Sequence, residues 1–564
     1  MINVQRCFRI LVAMLAALLS FDVAAVQPQR DRSSAIAFKS SEKDNIFTAE
    51  RSSVEITPAI AGAKVLALTV KDEYGKTVNL ALPALPAPNV ILNLPQRGYY
   101  AIDAQVTGQA GSWSTTAAVI GQAASADPHS PFGIWTVHGD PKQALKAGST
   151  WARQIWNLRD YRLDKDGRII SQRRKRGDYQ GMKLIGTLAY GLPDWLTSDP
   201  STTRTKKLAA PKDWDKFKEL VAMFANDIEP FAPYFEIYNE PEYAWQGNEA
   251  DLVKMLITIA DIIRTARPST KIIGPTFANL DVDRLRRYQR LGFFDHIDGL
   301  SIHPYVEGTA PEGKFIQKIR EIKAFLVETG HAEMPIYMSE WGWTTAAGGW
   351  QPPVSELVQA QYLTRSLALM RAEKIDALLY FCLRFNSQQA GVREFSVVHA
   401  DGTPKPAYAA FANVVRWLSP AIDSRRLDTG STTEMVVYRT PDHSVLTAWA
   451  PAGAPTPKLP ESLGNWEDMM GRPLSGALPQ LSGSPIFARI ADPGFFDVHV
   501  ESALSARAGD TLKIDGLTAA PTPLKITADG QLKIPANTIS GIYFIACQFQ
   551  SNWILKPLSV KNKP

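Results

Sequence analysis

FEIYNEPEYAW, residues 235–245, is the stretch whose reading decides the fold. An apolar run leads there into Asn239, Glu240 and Pro241, so a carboxylate stands where a buried strand ends. IYMSEWGW, residues 336–343, repeats the arrangement with Glu340. Glycosidic bond hydrolysis needs two carboxylates facing one sugar, one to protonate the leaving oxygen and one to attack or to activate water.

Outward from these segments the chain alternates strand and helix. Apolar strand candidates lie at 132–137, 151–156, 182–190, 234–239, 271–276, 299–305, 335–340 and 377–383. Helical segments are expected at 214–228, 249–267 and 354–373; in the second, Leu252, Met255, Leu256, Ile259 and Ile263 recur at helical spacing. Eight strands alternating with helices predict a (β/α)8 TIM barrel, whose active site is built at the C-terminal ends of its strands. A doubly wound open sheet would alternate too, but no Gly-rich phosphate loop follows the first strand. By this count residues 234–239 form the fourth strand and 335–340 the seventh, and 401–418 close the barrel with a last helix.

Both flanks read as strands without helices. VLALTV (65–70), TVNLALP (77–83), NVILNLP (89–95), 98–108 and 113–121 alternate apolar and polar residues between Gly, Pro and Asn, as in a small antiparallel β-sandwich. Residues 27–44 are polar and are expected to be a flexible lead-in. After the barrel, 434–440, 443–450, 495–500, 511–516, 523–534 and 541–549 predict a second β-sandwich. The expected domains are residues 1–25 (signal peptide), 26–126 (N-terminal β-sandwich), 127–418 (barrel) and 419–564 (C-terminal β-sandwich).

The signal peptide is read from Arg6 and Arg9, the apolar run from Ile10 to Leu19, and the small residues Ala24 and Ala25 at the cleavage position. The run is too short to span a bilayer, so a periplasmic or secreted protein is expected. Cleavage would remove Cys7 and leave Cys382 and Cys547, two free thiols in separate apolar segments. A net charge of +5, with 56 acidic among 61 basic residues, does not point to nucleic acid. The 14 Trp offer flat apolar faces on which a pyranose ring stacks. No metal-ligand cluster, phosphate loop or nucleotide motif is present in the sequence, so no cofactor is implied.

Residues 130–415 resemble the clan A glycoside hydrolases, retaining enzymes on a TIM barrel, and within them family 39 and related bacterial exopolysaccharide hydrolases. Asn239-Glu240-Pro241 is similar to the clan's strand-four motif, and Glu340 in SEWGW to its strand-seven nucleophile. The resemblance implies Glu240 as acid/base and Glu340 as nucleophile. It further implies that Arg153 orients the nucleophile, that Asn239 binds the sugar 2-hydroxyl, and that His303 and Tyr305 of SIHPY lie near Glu340. Many clan members end strand eight on a tryptophan that floors the sugar site, whereas this strand reads LLYFCLRF and offers Phe381, Arg384 or Phe385. Trp341, Trp343 and Trp245 are the expected substitutes as stacking platforms.

The expected partner is a poly- or oligosaccharide. A glycan-binding or assembly protein on a decayed barrel, and a transglycosylase using the same glutamates, are the alternatives. The basic run at 172–176 reads as a solvated face, or as a contact for an anionic polysaccharide.

Overall fold

The computed structural model describes residues 35–48, 52–121, 127, 129–137, 139–172, 179, 181–202, 207–227, 232–278, 280–347, 350–385, 394–429, 431–451, 457–474, 481–550 and 552–562. Its centre is a parallel sheet of eight strands: β1 (Phe132–Ile134), β2 (Trp151–Asn157), β3 (Lys183–Ala189), β4 (Tyr234–Glu236), β5 (Lys271–Ile273), β6 (Leu300–Ile302), β7 (Ile336–Trp341) and β8 (Ala377–Tyr380). They lie side by side in the order β5-β4-β3-β2-β1-β8-β7-β6. Parallel bridges Ile273–Gly299 and Phe277–Ile302 join the two ends and close the sheet into a barrel.

Around it run α1 (Pro141–Lys146), α2 (Trp214–Asp227), the single turn α3 (Pro241–Ala244), α4 (Glu249–Ala266), α5 (Val282–Arg290), α6 (Lys314–Glu328), α7 (Glu356–Ala372) and α8 (Pro406–Leu418). The helices expected from apolar spacing are α2, α4 and α7, displaced by no more than two residues at any end. Between β2 and β3 the described chain forms an antiparallel hairpin, Tyr161–Leu163 with Ile169–Ser171.

Strand side chains alternate in direction, so residues two apart along a strand point the same way and fill the barrel in layers. Trp151, Tyr234 and Tyr337 form an aromatic layer, with ring centroids 4.8 to 6.1 Å apart. Two residues further along the same strands stand Arg153, Glu236 and Ser339, all buried. The barrel thus changes from apolar to ionic within one layer, toward its C-terminal mouth.

On the N-terminal side, strands Ile36–Ser40, Ser52–Pro58 and Val90–Leu94 face a four-stranded sheet across a core of Val54, Ile56, Leu92, Tyr100 and Ile102. Two expectations are corrected here. Residues 36–40 are a strand paired with 54–58 instead of a flexible lead-in. Residues 77–83 make one bridge, Thr77 to Lys71, and no strand; Pro83 ends the segment, Pro86 and Pro88 follow, and none of the three offers an N–H to a ladder. The four-stranded sheet also holds one parallel pair, Ile46–Phe47 with Ala118 and Val119, so it is not wholly antiparallel.

On the C-terminal side, a five-stranded antiparallel sheet buries both faces. Val436 and Tyr438 pack with the barrel helices, and Met435 and Val437 pack toward Phe544, Ala546 and Leu555 of the last sheet. Residues 495–497, expected in a strand, belong to a 3-10 turn, Pro493–Asp497, in which Asp492 accepts from the Gly494 amide. Asn552–Lys561, which the sequence reading passed over, is the longest strand described and pairs along its length with Gly541–Phe549. Cys382 and Cys547 are free and buried. No helix among the described residues is long and apolar enough to cross a membrane. The candidate signal peptide and Arg173 to Arg176 lie outside the described residues.

Candidate active site

Arg153 organises the mouth of the barrel. Its Nε and one terminal nitrogen donate to Glu236 Oε2 at 2.8 and 2.5 Å. The other terminal nitrogen donates to Glu340 Oε2 at 2.9 Å, and the one on Glu236 also donates to Asn239 Oδ1 at 2.7 Å. The guanidinium lies over the Trp135 ring, 4.5 Å from its centroid, which holds the fork in its plane.

Glu236 is the residue the sequence reading missed. It is fully buried and accepts from the Thr187 hydroxyl at 2.7 Å as well as from Ser301. Burial alone would raise its carboxyl, but Arg153, His303 and the serine hydroxyls outweigh burial and hold it at about 2. A signal was present: an acidic residue inside the apolar run FEIY has to be paired if that run is buried.

Glu340 sits in β7, beside a break in strand register between Met338 and Trp341. Such a bulge re-aims side chains, and here neighbouring residues both reach the site. Ser339 Oγ lies 3.1 Å from His303 Nε2, while Glu340 Oε1 accepts from the Tyr305 hydroxyl at 2.7 Å. Burial raises the Glu340 carboxyl and the Glu240 charge raises it further; His303, Arg153 and Tyr305 pull it down, and it remains above the ordinary carboxylate range. The Arg153 guanidinium is divided between two carboxylates, with two donors on Glu236 and one on Glu340.

Glu240 lies beyond β4, with φ +46°, in the left-handed region that disfavours a side chain by about 1–2 kcal/mol. The loop is held there by the Glu240 amide donating to Thr276 O at 2.9 Å and the Asn239 amide to Leu188 O at 2.8 Å. Glu240 Oε1 lies 3.0 Å from His303 Nδ1. One oxygen each from Glu240 and Glu340 and one ring nitrogen of His303 all lie within 4.8 Å of one another. These three are the grouping, among the described residues, that could hold a metal ion. The Arg153 cation against Glu340 opposes a second positive charge there.

Both glutamates open on a cavity of about 570 Å³, walled by Trp135, Tyr179, Tyr190, Tyr243, Phe381 and Phe385, with Lys207 at its rim. Phe381, in the strand-eight position, packs on Trp135 with centroids 5.1 Å apart. The structure therefore brings Arg153, Asn239, Glu240, His303, Tyr305 and Glu340 together. It does not bring the three tryptophans. Trp341 and Trp343 are each 1% exposed, and their indole N–H groups donate to Ser366 and Thr309, so both are core. Trp245 is half-buried, donates to Asn248 O and lies outside the cavity wall. Trp350, also outside that wall, stands 49% exposed, edge-on to Tyr305 and stacked on Phe395.

No family model and no curated protein matches the chain. Among solved structures it is similar to a family 39 glycoside hydrolase from the gut symbiont Bacteroides cellulosilyticus WH2, at 15% identity and a TM-score of 0.61, over 80% of this chain and 100% of that one. It is also similar to a family 39 β-xylosidase from Caulobacter crescentus, at 16% identity and a TM-score of 0.43, over 65% of this chain and 98% of that one. The first likeness bears on the fold alone, which in this chain is an eight-stranded parallel barrel with additional antiparallel sheets.

Proposed function

We propose that the protein is a retaining O-glycoside hydrolase acting on a poly- or oligosaccharide. The observation that carries this reading is the approach of Glu240 and Glu340 at the mouth of the barrel, one oxygen of each within 4.8 Å. Retaining enzymes hold their carboxyl groups about 5–5.5 Å apart, and inverting enzymes about 6.5–9.5 Å, to leave room for water.

Glu340 attacks the anomeric carbon while Glu240 gives its proton to the departing oxygen, which breaks the glycosidic bond and forms a glycosyl ester on Glu340. Glu240 then takes a proton from the water that attacks the same carbon and frees Glu340. Arg153 and Tyr305 fix the nucleophile by one donor on each of its oxygens. Asn239 meets the sugar 2-hydroxyl. Phe381 and Trp135 in the cavity wall, and the exposed Trp350 beside Tyr305, supply the flat faces for the sugar in place of Trp341 and Trp343.

The residue 1–25 segment exports the enzyme to the periplasm or medium. Bacterial exopolysaccharides are therefore the first polymers to try. The test is release of reducing ends from a panel of exopolysaccharides and plant β-glycans, wild type beside Glu340→Gln. Activity that the substitution abolishes, with the product formed in the substrate's own anomeric configuration, is the expected result. Silence from both proteins with binding retained would replace this reading with a glycan-binding role. Sugar-to-sugar transfer in place of hydrolysis would make the protein a transglycosylase.

A further inference from the structure

A chain of hydrogen bonds runs from Glu236 to Glu240, and its polarity is fixed at one end. Glu236 sits between the Arg153 fork and the Thr187 hydroxyl, so its carboxylate only accepts. The Ser301 hydroxyl must spend its one proton on Glu236 Oε1. Ser301 therefore has no proton for Ser339 Oγ, 2.9 Å away, and the Ser339 hydroxyl gives its own to Ser301 Oγ or to Glu236. Ser339 has no further proton to give, so its oxygen accepts from His303 Nε2 at 3.1 Å. His303 Nε2 therefore carries hydrogen, which leaves Nδ1 facing Glu240 Oε1 at 3.0 Å. Two acceptors cannot meet at that distance, so one proton is held between them.

We infer that Glu236 is a positioning residue which, through Ser301, Ser339 and His303, keeps a single proton shared between His303 Nδ1 and Glu240 Oε1. The inference rests on the glycosidase reading for its use and on hydrogen-bond direction for its existence. In the first step the shared proton leaves with the departing oxygen. Glu240 is then a carboxylate facing the bare Nδ1 lone pair, an arrangement that draws a proton strongly. Water supplies it in the second step, and the pair returns to its starting state. The chain thus makes one residue pair a ready acid and then a strong base.

The other charged or titratable groups facing this pair are Glu340, whose Oε2 is 3.9 Å from His303 Nδ1, together with Arg153, Tyr305 and Tyr243.

The test reads the imidazole directly in the full-length chain labelled with nitrogen-15 histidine; His303 is picked out among the 8 histidines by its loss in His303→Gln. Expected is a proton on Nε2 that persists from pH 5 to 9 in wild type. In Ser339→Ala and Ser301→Ala that fixed Nε2 proton is lost, and the tautomer shifts toward Nδ1. A wild-type His303 with bare Nε2, or serine variants with an unchanged histidine spectrum, would overturn the inference whether or not the protein cleaves sugar. A second readout applies once the panel has named the sugar. With aryl glycosides of that sugar, Ser339→Ala should lose at least tenfold more kcat/KM on poor leaving groups than on 2,4-dinitrophenol, which departs without an acid. Equal losses across the series would count against it, because a merely loosened site slows every leaving group alike.

Discussion

At the scale of single residues, the site is a contest over charge. Glu236 and Arg153 are fully buried partners, and removing one member of such a pair leaves the other uncompensated at a cost of about 3–5 kcal/mol. Glu236→Ala is expected to lose stability of that order in urea unfolding. The depressed Glu236 carboxyl stabilises the fold above its unfolded value near 4.5, and that contribution disappears as pH falls through about 2. Glu340 has the opposite sign. Its raised carboxyl favours the fold while protonated and opposes it as pH rises. Glu340→Gln is therefore expected to melt higher than wild type at pH 8, with the gap closing toward pH 4, although its turnover is gone. In wild type the acid limb of kcat/KM should lie above the ordinary carboxylate range, because the nucleophile must be ionised. Tyr305→Phe removes a donor to that charge. It should cost about 1.5–3 kcal/mol in transition-state stabilisation and move the acid limb further up, whereas an unmoved limb would mean that the phenol does not act on Glu340.

At the scale of elements, β7 and the loop after it carry most of the surprises. The sequence placed Glu340 correctly at the end of an apolar strand, and Trp341 and Trp343 beside it looked equally available. The bulge turns Ser339 and Glu340 to the mouth together, and both following tryptophans go into the wall between the barrel and its helices. Gly342 makes this passage feasible: a Cβ there would stand 2.5 Å from Phe381 O in the adjoining strand end. Trp350, nine positions beyond the end of β7, stands edge-on to Tyr305. Trp350→Ala is expected to weaken glycan binding by about 1 kcal/mol, roughly fivefold in KM, with kcat little changed. An unchanged KM would move the stacking role to Phe381 and Trp135. Beyond β4 the reading singled out Asn239 and Glu240, which line the cavity, and it passed over Glu236 within the strand, because a strand-end motif draws attention to the loop and away from the acid inside the apolar run.

At the scale of the whole molecule, the flanking sheets are tied to each other as well as to the barrel. Arg472 donates two hydrogen bonds to Glu73, 2.9 and 2.6 Å long, and joins the C-terminal sheets to the N-terminal ones. The Glu73 side chain is 1% exposed, and burial raises its carboxyl despite the pairing with Arg472. Arg472→Ala should cost about 3–5 kcal/mol in unfolding free energy. It should leave kcat/KM of the folded fraction unchanged, since neither residue lines the cavity. A loss of kcat/KM with stability intact would instead make the flanks part of the catalytic unit. Similarly, Glu312 accepts from Arg365 and from the Trp449 indole at 2.8 Å, and so fastens the first C-terminal sheet to α7.

The sequence by itself determined the eight strands and their order, the fourth and seventh strand ends, and the two glutamates. Each of these follows from local periodicity and from the place where an apolar run stops. Only the tertiary structure decided which way the side chains around them face. Ser301, Ser339 and Glu236 meet His303 because barrel closure brings β4, β6 and β7 to one centre, and spacing along the chain carries no trace of that meeting. The tryptophans were misjudged for the same reason. An indole beside a nucleophile is a platform or a core residue according to strand register, and one bulge in β7 settled it.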